Sequence, residues 1–415
     1  MNFELKPCTA AGERFVALAE AHAADFAGRA DQHDRAGSFP FENITAMQRS
    51  GVLAAWVLEE FGGLGVEVVH DYVLGINRLG RGDGSTALLA NMHNFRTWSI
   101  TRAWQAAAHA GDPMRAERSA QLLRQVSAGQ LLICALASES GTDLLHPLVE
   151  AKRVAGGWLL NGRKIFGTLS PAASILGVVC RIQDTSENIR QGLASVPAGT
   201  AGVTITNNWN ALGMRGSGSH DVVFTDCFVP EEAVVETGPW GDFTERFLAA
   251  NGVAMVGLSA VFLGIAEAAH ATILTMVTSQ RRGPHGRRLA ERPAIQNLIA
   301  EIEIDLAAAR AMLERTTHTL DTVFCQPPAI PIPLDTLHHL MKDIQCTKWF
   351  VTRRAIEVVD RALTASGGAG YLTQSPLSRL YRDVRAGPFM QPFSPNEAFE
   401  YIGKVALGLD PRLEA

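Results

Sequence analysis

The residue pattern changes character twice along the chain, and this segmentation limits the fold more than any other feature. Residues from about 10 to 132 are rich in Ala, Leu, Arg and Gln at helical spacing, with breaks at stretches that contain Gly and Pro. Between about 133 and 235, short runs of β-branched and apolar residues alternate with Gly, Asn and Asp turns. Helical spacing then returns in four segments, at about 244–280, 291–324, 333–365 and 394–408.

This order predicts a mainly α fold with a central β domain. Residues 1–132 are expected to form an N-terminal α-helical domain, 133–240 a middle domain folded as a small antiparallel β barrel or sandwich, and 241–415 a C-terminal four-helix bundle. Alanine occupies many positions of the last segments, which suits helices that approach one another closely.

The composition is that of an ordinary globular protein. Of 415 residues, 47% are hydrophobic and 19% charged, which excludes disordered and fibrous classes. The net charge of −5 gives no reason to expect a nucleic acid or an anionic membrane as partner. We therefore expect a small-molecule substrate.

Six scattered cysteines form no C-x-x-C pair, so we predict neither a zinc site nor a disulfide framework, and a reducing cytoplasmic location. The first residues lack the pattern of a signal peptide. The most apolar stretch, 252–269, contains Glu267 and is interpreted as a core helix rather than a membrane span.

An ordered set of motifs extends over most of the chain. It comprises LEEFGGLG (58–65), ASESGTD (137–143), LNGRKIFGT (160–168), LGMRGS (212–217), RGPHGRRLAERP (282–293) and GGAGY (367–371), followed by Arg382-Asp383 and Met390-Gln391-Pro392. Any one of these could arise as turn chemistry in an unrelated fold. Their order and spacing together are much more specific.

The set resembles the acyl-CoA dehydrogenase superfamily of flavoproteins, and the resemblance implies an FAD cofactor, with FMN as a second possibility. By the match, Phe166 lies against the flavin ring and Thr168 hydrogen-bonds its reactive edge, roles that suit a flat aromatic ring and a hydroxyl. Arg282 is expected to reach the flavin pyrophosphate of a neighbouring subunit, which implies a homodimer or homotetramer. The remaining flavin contacts implied by the match are Ser138, Gly367, Gly368 and Gly370.

Gln391 is the sharpest departure from the family pattern. Members of the superfamily usually carry a carboxylate base nine residues after the Arg of Arg-Asp, and here that position is Gln391. A primary amide cannot take up a proton at neutral pH, so ordinary α-proton abstraction lacks its catalyst. The position that some relatives use instead is Ala254, followed by Met255.

Three other acids are weaker candidates for a base. Glu397 and Glu400 are expected in the first turns of a new helix, where acids interact favourably with the helix dipole. Asp383 is expected to be an ion-pair partner.

His93 supports a different chemistry. It ends the segment DGSTALLANMH (83–93), which resembles a segment of the superfamily's flavin-dependent monooxygenase branch, where a histidine points to the reactive face of the flavin. A histidine with an ordinary pKa can donate a proton in oxygen chemistry. The other interpretation is a helix histidine satisfied by backbone carbonyls.

The preferred hypothesis is an oxygen-using flavoenzyme, a monooxygenase or oxidase, with His93, Gln391 and Thr168 at the catalytic site. The alternative is an acyl-CoA or acyl-carrier dehydrogenase with a non-standard base, acting on a thioester. A flavin reductase or an electron-transfer flavoprotein is a possible partner. A flavin-free binding protein is disfavoured, because Thr168 and Arg282 are both present.

Overall fold

The computed structural model describes residues 3–183, 189–282, 286–324 and 331–412. Its first part is helical. Asp83 separates two of the helices, since its carboxylate accepts hydrogen bonds from the backbone N–H groups of Ser85 and Thr86 and thereby caps the second. The helices are α1 (Ala10–Ala36), α2 (Phe41–Ser50), α3 (Val69–Gly82), α4 (Gly84–His109) and α5 (Pro113–Ser127).

A mixed β-sheet follows. Its strands are β1 (Ile133–Leu136), β2 (Glu150–Val154), β3 (Gly157–Gly167), β4 (Ile175–Gln183), β5 (Ile189–Pro197), β6 (Val203–Ile205), β7 (His220–Pro230) and β8 (Val234–Pro239). The spatial order is β6-β7-β3-β2-β4-β5-β8, with β1 beside β4. Both β1 and β2 pair with β4 in parallel, so the predicted purely antiparallel arrangement is wrong in these two pairings. The strand-like runs of the sequence, at 131–138, 149–154, 158–166, 175–182, 202–206 and 220–229, did not include β5 or β8.

The last part is helical again. The short strands β9 (Arg281–Arg282) and β10 (Arg287–Arg288) form a hairpin between two of its helices. The four long segments predicted from spacing begin and end within two residues of observed helices, whereas α9 and α10 were not predicted. The helices are α6 (Glu245–Ser279), α7 (Pro293–Phe324), α8 (Leu334–Ser366), α9 (Gly368–Tyr371), α10 (Pro376–Val384) and α11 (Pro395–Ala406).

Helix α6 is the central core helix. Glycines allow it to approach α3 closely, because a Cβ on Gly264 would lie 2.4 Å from the carbonyl oxygen of Asn77. By length and composition α6 could cross a membrane, but 89% of its most apolar window is buried inside the protein. Helix α6 is therefore a buried core helix, as the sequence predicted for residues 252–269.

Candidate active site

A cavity of about 460 Å³ lies where the three parts of the chain meet. Its walls come from one face of α4, the ends of β1 and β3, strand β5, the first half of α6 and the segment 382–392. This size falls in the range of small-molecule and cofactor sites. The lining residues used below are Met92, Phe95, Arg96, Ser138, Phe166, Thr168, Trp209, Ser217, Ser219, Arg246, Arg382, Arg385, Met390, Gln391 and Pro392.

Phe166 projects its ring into this cavity because β3 is irregular at its end. The register of β3 against β7 shifts between Lys164 and Gly167, and Phe166 itself adopts a positive φ of 55°. A bulge of this kind redirects a side chain, and a positive φ is unusual for a bulky residue. The ring is 54% exposed and packs edge-on against Trp209, with 6.1 Å between ring centroids.

Thr168 belongs to a chain of three hydroxyls on the cavity wall. Its Oγ1 lies 2.9 Å from Oγ of Ser219, which lies 2.7 Å from Oγ of Ser217. All three side chains are buried in the protein and line the cavity. Hydroxyls both donate and accept, so the chain can present either a proton or a lone pair to a bound ring.

Ser138 reaches the cavity because its neighbours are fixed by a buried lysine. The ammonium of Lys164 donates to the carbonyl oxygen of Ala137 at 3.1 Å and forms an ion pair with Glu139. Burial lowers the pKa of Lys164, and the Glu139 carboxylate opposes that shift. The motif lysine is therefore a structural support for the segment after β1 that carries Ser138.

The charged residues of the lining are all arginines. Arg96, Arg246, Arg382 and Arg385 line the cavity, and the lining contains no Asp, Glu, His, Lys, Cys or Tyr among the described residues. Arg382 forms an ion pair with Asp34. Within the part of the chain that the structure describes, Arg96 and Arg246 have no ion-pair partner, and Nε of Arg96 is buried without a hydrogen bond. Burial and the positive charge of Arg246 lower the pKa of Arg96 to about 10.

Gln391 lies in the cavity wall between Met390 and Pro392, and the residue is exposed. The weaker candidate bases lie elsewhere. Asp383 is buried, accepts a hydrogen bond from the N–H of Met214 at 2.6 Å and pairs with Arg379, as expected of a structural acid. Burial raises the pKa of Asp383 to about 6. Glu397 forms a capping box with Ser394 at the start of α11.

His93 does not line the cavity, and this removes the geometric basis of its predicted role. Its Nε2 lies 3.0 Å from the carbonyl oxygen of Leu53, and its Nδ1 accepts a hydrogen bond from the N–H of Ile133 at 3.1 Å. The side chain is fully buried, and burial lowers its pKa to about 4. These contacts describe a neutral histidine that ties α4 to its neighbours.

The reason for the difference is helical geometry. Successive residues of a helix are rotated by about 100°. Met92, Phe95 and Arg96 share the face of α4 that lines the cavity, whereas His93 is turned away from that face toward Leu53. The motif therefore lies on the helix that lines the cavity, His93 lies on another face of it, and a catalytic role for His93 stays a prediction.

The predicted flavin contacts Gly367, Gly368 and Gly370 do not line the cavity. Gly367 ends α8 with a φ of 63°, Gly368 begins α9, and Gly370 is buried within it. Arg282 lies in the hairpin strand β9, and residues 283–285 of the same motif lie outside the described residues. A role for these residues through a neighbouring subunit stays a prediction.

One group of side chains was not expected from spacing. The ligand atoms of His70, Glu314 and His318 lie within 4.8 Å of one another. Both ring nitrogens of His70 are already hydrogen-bonded, to Thr317 and to the carbonyl oxygen of Lys6. His70 therefore has no ring nitrogen free to bind a metal, and the absence of a metal site stays a prediction.

Several cavity residues were missed by the sequence reasoning. His220 holds Trp209 in place, because its Nδ1 accepts a hydrogen bond from the backbone N–H of Trp209 at 2.9 Å. Arg96 lies three residues after His93, just beyond the end of the motif at 83–93. Arg246 stands at the start of the apolar helix α6. All three residues lie outside the quoted motifs, so the motif match did not point to them.

The residues present fit a flavin. The Phe166 ring offers a flat apolar surface, the Thr168 hydroxyl chain offers hydrogen bonds to a heterocycle edge, and the unpaired arginines suit phosphate. A bound flavin would supply the redox chemistry that none of the lining side chains can perform. The fold and the cavity thus define a flavoprotein of a helix-sheet-helix type.

Comparison with known proteins gives the family. Three domain descriptions match in order: "Acyl-CoA dehydrogenase, N-terminal domain" over residues 11–106, "middle domain" over 135–227 and "C-terminal domain" over 256–393. The amino sugar nitrososynthase DnmZ of Streptomyces peucetius is 32% identical over 407 residues, covering 97% of this chain and 95% of that protein.

Solved structures with a similar fold include relatives of the same kind. KijD3 in complex with FMN and dTDP-3-amino-2,3,6-trideoxy-4-keto-3-methyl-D-glucose has a TM-score of 0.89 and 31% identity, covering 98% of this chain and 96% of that chain. The nitrososynthase from Micromonospora carbonacea var. africana has a TM-score of 0.87 and 32% identity, covering 99% and 100%.

The chain therefore belongs to the acyl-CoA dehydrogenase family, within its divergent branch of flavin monooxygenases. It is a flavin-dependent oxidoreductase of the oxygen-using kind rather than an acyl-CoA dehydrogenase. The resemblance and the fold class inferred from the sequence are both confirmed.

Proposed function

We propose that this protein is a flavin monooxygenase that oxidises the amino nitrogen of a small anionic substrate, with an amino sugar nucleotide as the substrate class. The observation that carries the proposal is the charge of the cavity: four arginines and no acid or histidine among the described lining residues. Such a wall attracts phosphate and cannot abstract a carbon-bound proton. The similarity to amino sugar nitrososynthases supports the nitrogen as the site of oxidation.

The reaction balances without a protein base. An amine, O2 and a two-electron reduced flavin give a hydroxylamine, water and oxidised flavin. A second O2 and a second reduced flavin convert the hydroxylamine to a nitroso group and two waters. The protein's task is to hold the ring beside Phe166, to hydrogen-bond its edge through Thr168, and to fix the anionic end of the substrate.

The ion pairs of the lining arginines indicate which of them can bind the substrate. Arg382 is engaged by Asp34, whereas Arg96, Arg246 and Arg385 have no ion-pair partner among the described residues, and of these we assign Arg96 and Arg246 to a substrate phosphate. Both lie on helices, α4 and α6, that are packed into the core. Rigid placement of two guanidiniums favours a dianionic group over a single carboxylate.

The finer points of cofactor, assembly and location belong to the same proposal. FMN and FAD both fit the ring site, and the FMN-bound KijD3 structure supports FMN. We propose a homodimer or homotetramer in the cytoplasm that receives reduced flavin from a separate reductase. The role of Gln391 is to present a neutral amide where a carboxylate would repel an anionic substrate.

The test uses the purified protein with chemically reduced FMN or FAD, a dTDP-linked amino sugar and isotopically heavy O2. Appearance of the heavy oxygen on the substrate nitrogen, detected by mass spectrometry, is the expected result. Anaerobic bleaching of bound oxidised flavin by an acyl-CoA, with no oxygen transfer to any amine, would replace the proposal with the dehydrogenase alternative.

A binding experiment tests the anionic subsite separately. Arg96→Met and Arg246→Met are each expected to weaken the binding of dTDP at least about tenfold, or about 1.4 kcal/mol, in isothermal titration. The matched control is Arg412→Met, since Arg412 is exposed and pairs with Asp410 away from the cavity. Equal affinities of all three variants would reject the assignment.

A further inference from the structure

The cavity wall that contains Gln391 has little secondary structure of its own. Met390, Gln391 and Pro392 line the cavity between a short turn, Gly387–Phe389, and helix α11. Backbone carbonyls in such a segment have no ladder or helix partner, so each depends on another donor. The position of the Gln391 amide therefore depends on what holds the backbone on either side.

Lys348 supplies that donor from helix α8. Its side chain is 3% exposed, and its Nζ donates hydrogen bonds to the carbonyl oxygens of Met390 and of Phe393, the latter at 2.8 Å. These two carbonyls stand on either side of Gln391-Pro392. One amine thus fastens both ends of the segment to the helical bundle.

The amine is costly to bury, which argues that its contacts matter. Lys348 has no ion-pair partner among the residues that the structure describes. Burial lowers its pKa to about 7, and the nearby charge of Glu397 opposes this shift. The Glu397 carboxylate itself accepts a hydrogen bond from the N–H of Ser394 at 2.6 Å. An apolar side chain would fill the same space without the desolvation cost.

We propose that Lys348 is a positioning residue for the active site, which acts by holding residues 390–393 so that Gln391 presents its amide to the cavity. Lys348 does not line the cavity, so it acts through the backbone rather than on the substrate. The inference rests on the proposed function only in taking the cavity as the active site. It extends that function to a residue in the bundle that no motif singles out.

Hydrogen–deuterium exchange of the purified full chain tests the positioning without any turnover. In Lys348→Met, amide exchange within residues 389–394 is expected to be at least about tenfold faster than in the unaltered protein, while the rest of α8 keeps its protection. The control is Lys342→Met on the same helix, because Lys342 is partly exposed and pairs with Asp343. Unchanged exchange in residues 389–394 of Lys348→Met would overturn the proposal.

A second variant covers the case in which Lys348→Met does not fold. Lys348→Gln keeps an N–H donor group on a shorter side chain, which cannot reach both carbonyls as the lysine does, and is expected to show faster exchange in the same segment. Loss of protection throughout the bundle in Lys348→Gln would show a general structural role and would also overturn the proposal.

A double-mutant cycle connects the segment to catalysis. If Lys348 acts through Gln391, the variant that carries both Lys348→Met and Gln391→Ala should have the same kcat and KM as Gln391→Ala alone. Independent, multiplying effects on KM would count against the proposal. Faster exchange combined with absent amine oxidation would leave the positioning role standing and reject only the proposed function.

Discussion

Thr168 and Ser219 share a hydrogen bond of 2.9 Å between their hydroxyl oxygens, and both side chains line the cavity. Ser217 extends the chain by a further hydroxyl. Because the described lining lacks every titratable group except arginine, these hydroxyls are the groups best able to pass a proton to or from a bound flavin edge. The cavity therefore offers a short hydroxyl chain and no carboxylate among its described lining residues.

Thr168→Val should slow the oxidation of reduced flavin during turnover about tenfold or more while costing only about 1 kcal/mol of stability, since one hydrogen bond is lost. Stopped-flow absorbance and thermal melting measure the two effects. Thr316→Val is the matched control, because Thr316 is equally buried and its hydroxyl lies 2.7 Å from that of Thr347 in the bundle. Similar flavin kinetics in both variants would contradict the assignment.

His93→Gln should remove a pH-dependent part of the stability. The folded-state pKa of His93, about 4, lies below its ordinary value of 6.5. Between pH 4 and pH 6.5, His93 is therefore protonated in the unfolded chain and neutral in the folded chain. Wild-type stability therefore falls as the pH decreases from 6.5 toward 4, by about 3 kcal/mol from this group.

Urea unfolding of wild type and His93→Gln across this pH range checks the prediction, with exposed His339→Gln as control. Turnover per folded molecule should be nearly unchanged in His93→Gln, because the ring does not reach the cavity. A specific loss of oxygen chemistry, with normal stability, would restore the catalytic interpretation of His93.

Gln391→Glu should weaken the binding of dTDP by several-fold, because it places a negative charge in a cavity whose charged residues are all arginines. Isothermal titration at low and high salt measures the effect, which should shrink as salt screens the added charge. Gln374→Glu adds the same charge at an exposed position outside the cavity lining. Tighter dTDP binding in Gln391→Glu would show that the anion binds elsewhere.

Phe166→Leu should reduce flavin affinity about tenfold with little loss of stability, because Phe166 is more than half exposed and packs little against the rest of the protein. Quenching of flavin fluorescence on titration measures the affinity. Phe228→Leu on β7 is a matched control, since that ring is also partly exposed but lies outside the cavity lining. Equal affinities would place the flavin ring away from Phe166.

The sequence determined the order of helices and strands, the family and the absence of a base at position 391. Helical spacing and strand-turn alternation are local properties, and they located the four long C-terminal helices closely. The motif at 160–168 likewise identified Phe166 and Thr168 as neighbours of the cavity, since their position depends on a local irregularity at the end of one strand.

Only the tertiary structure decided which side chains share the cavity. His93 and Arg96 lie on one helix, yet their orientation depends on how α4 packs against β1 and α6, which spacing along one helix cannot fix. The parallel pairing of β1 and β2 with β4, the hydroxyl chain from Thr168 to Ser217, and the two carbonyls held by Lys348 each join residues far apart in the chain. Contacts of this kind follow from the packing of the whole fold, because no local preference of the chain specifies them.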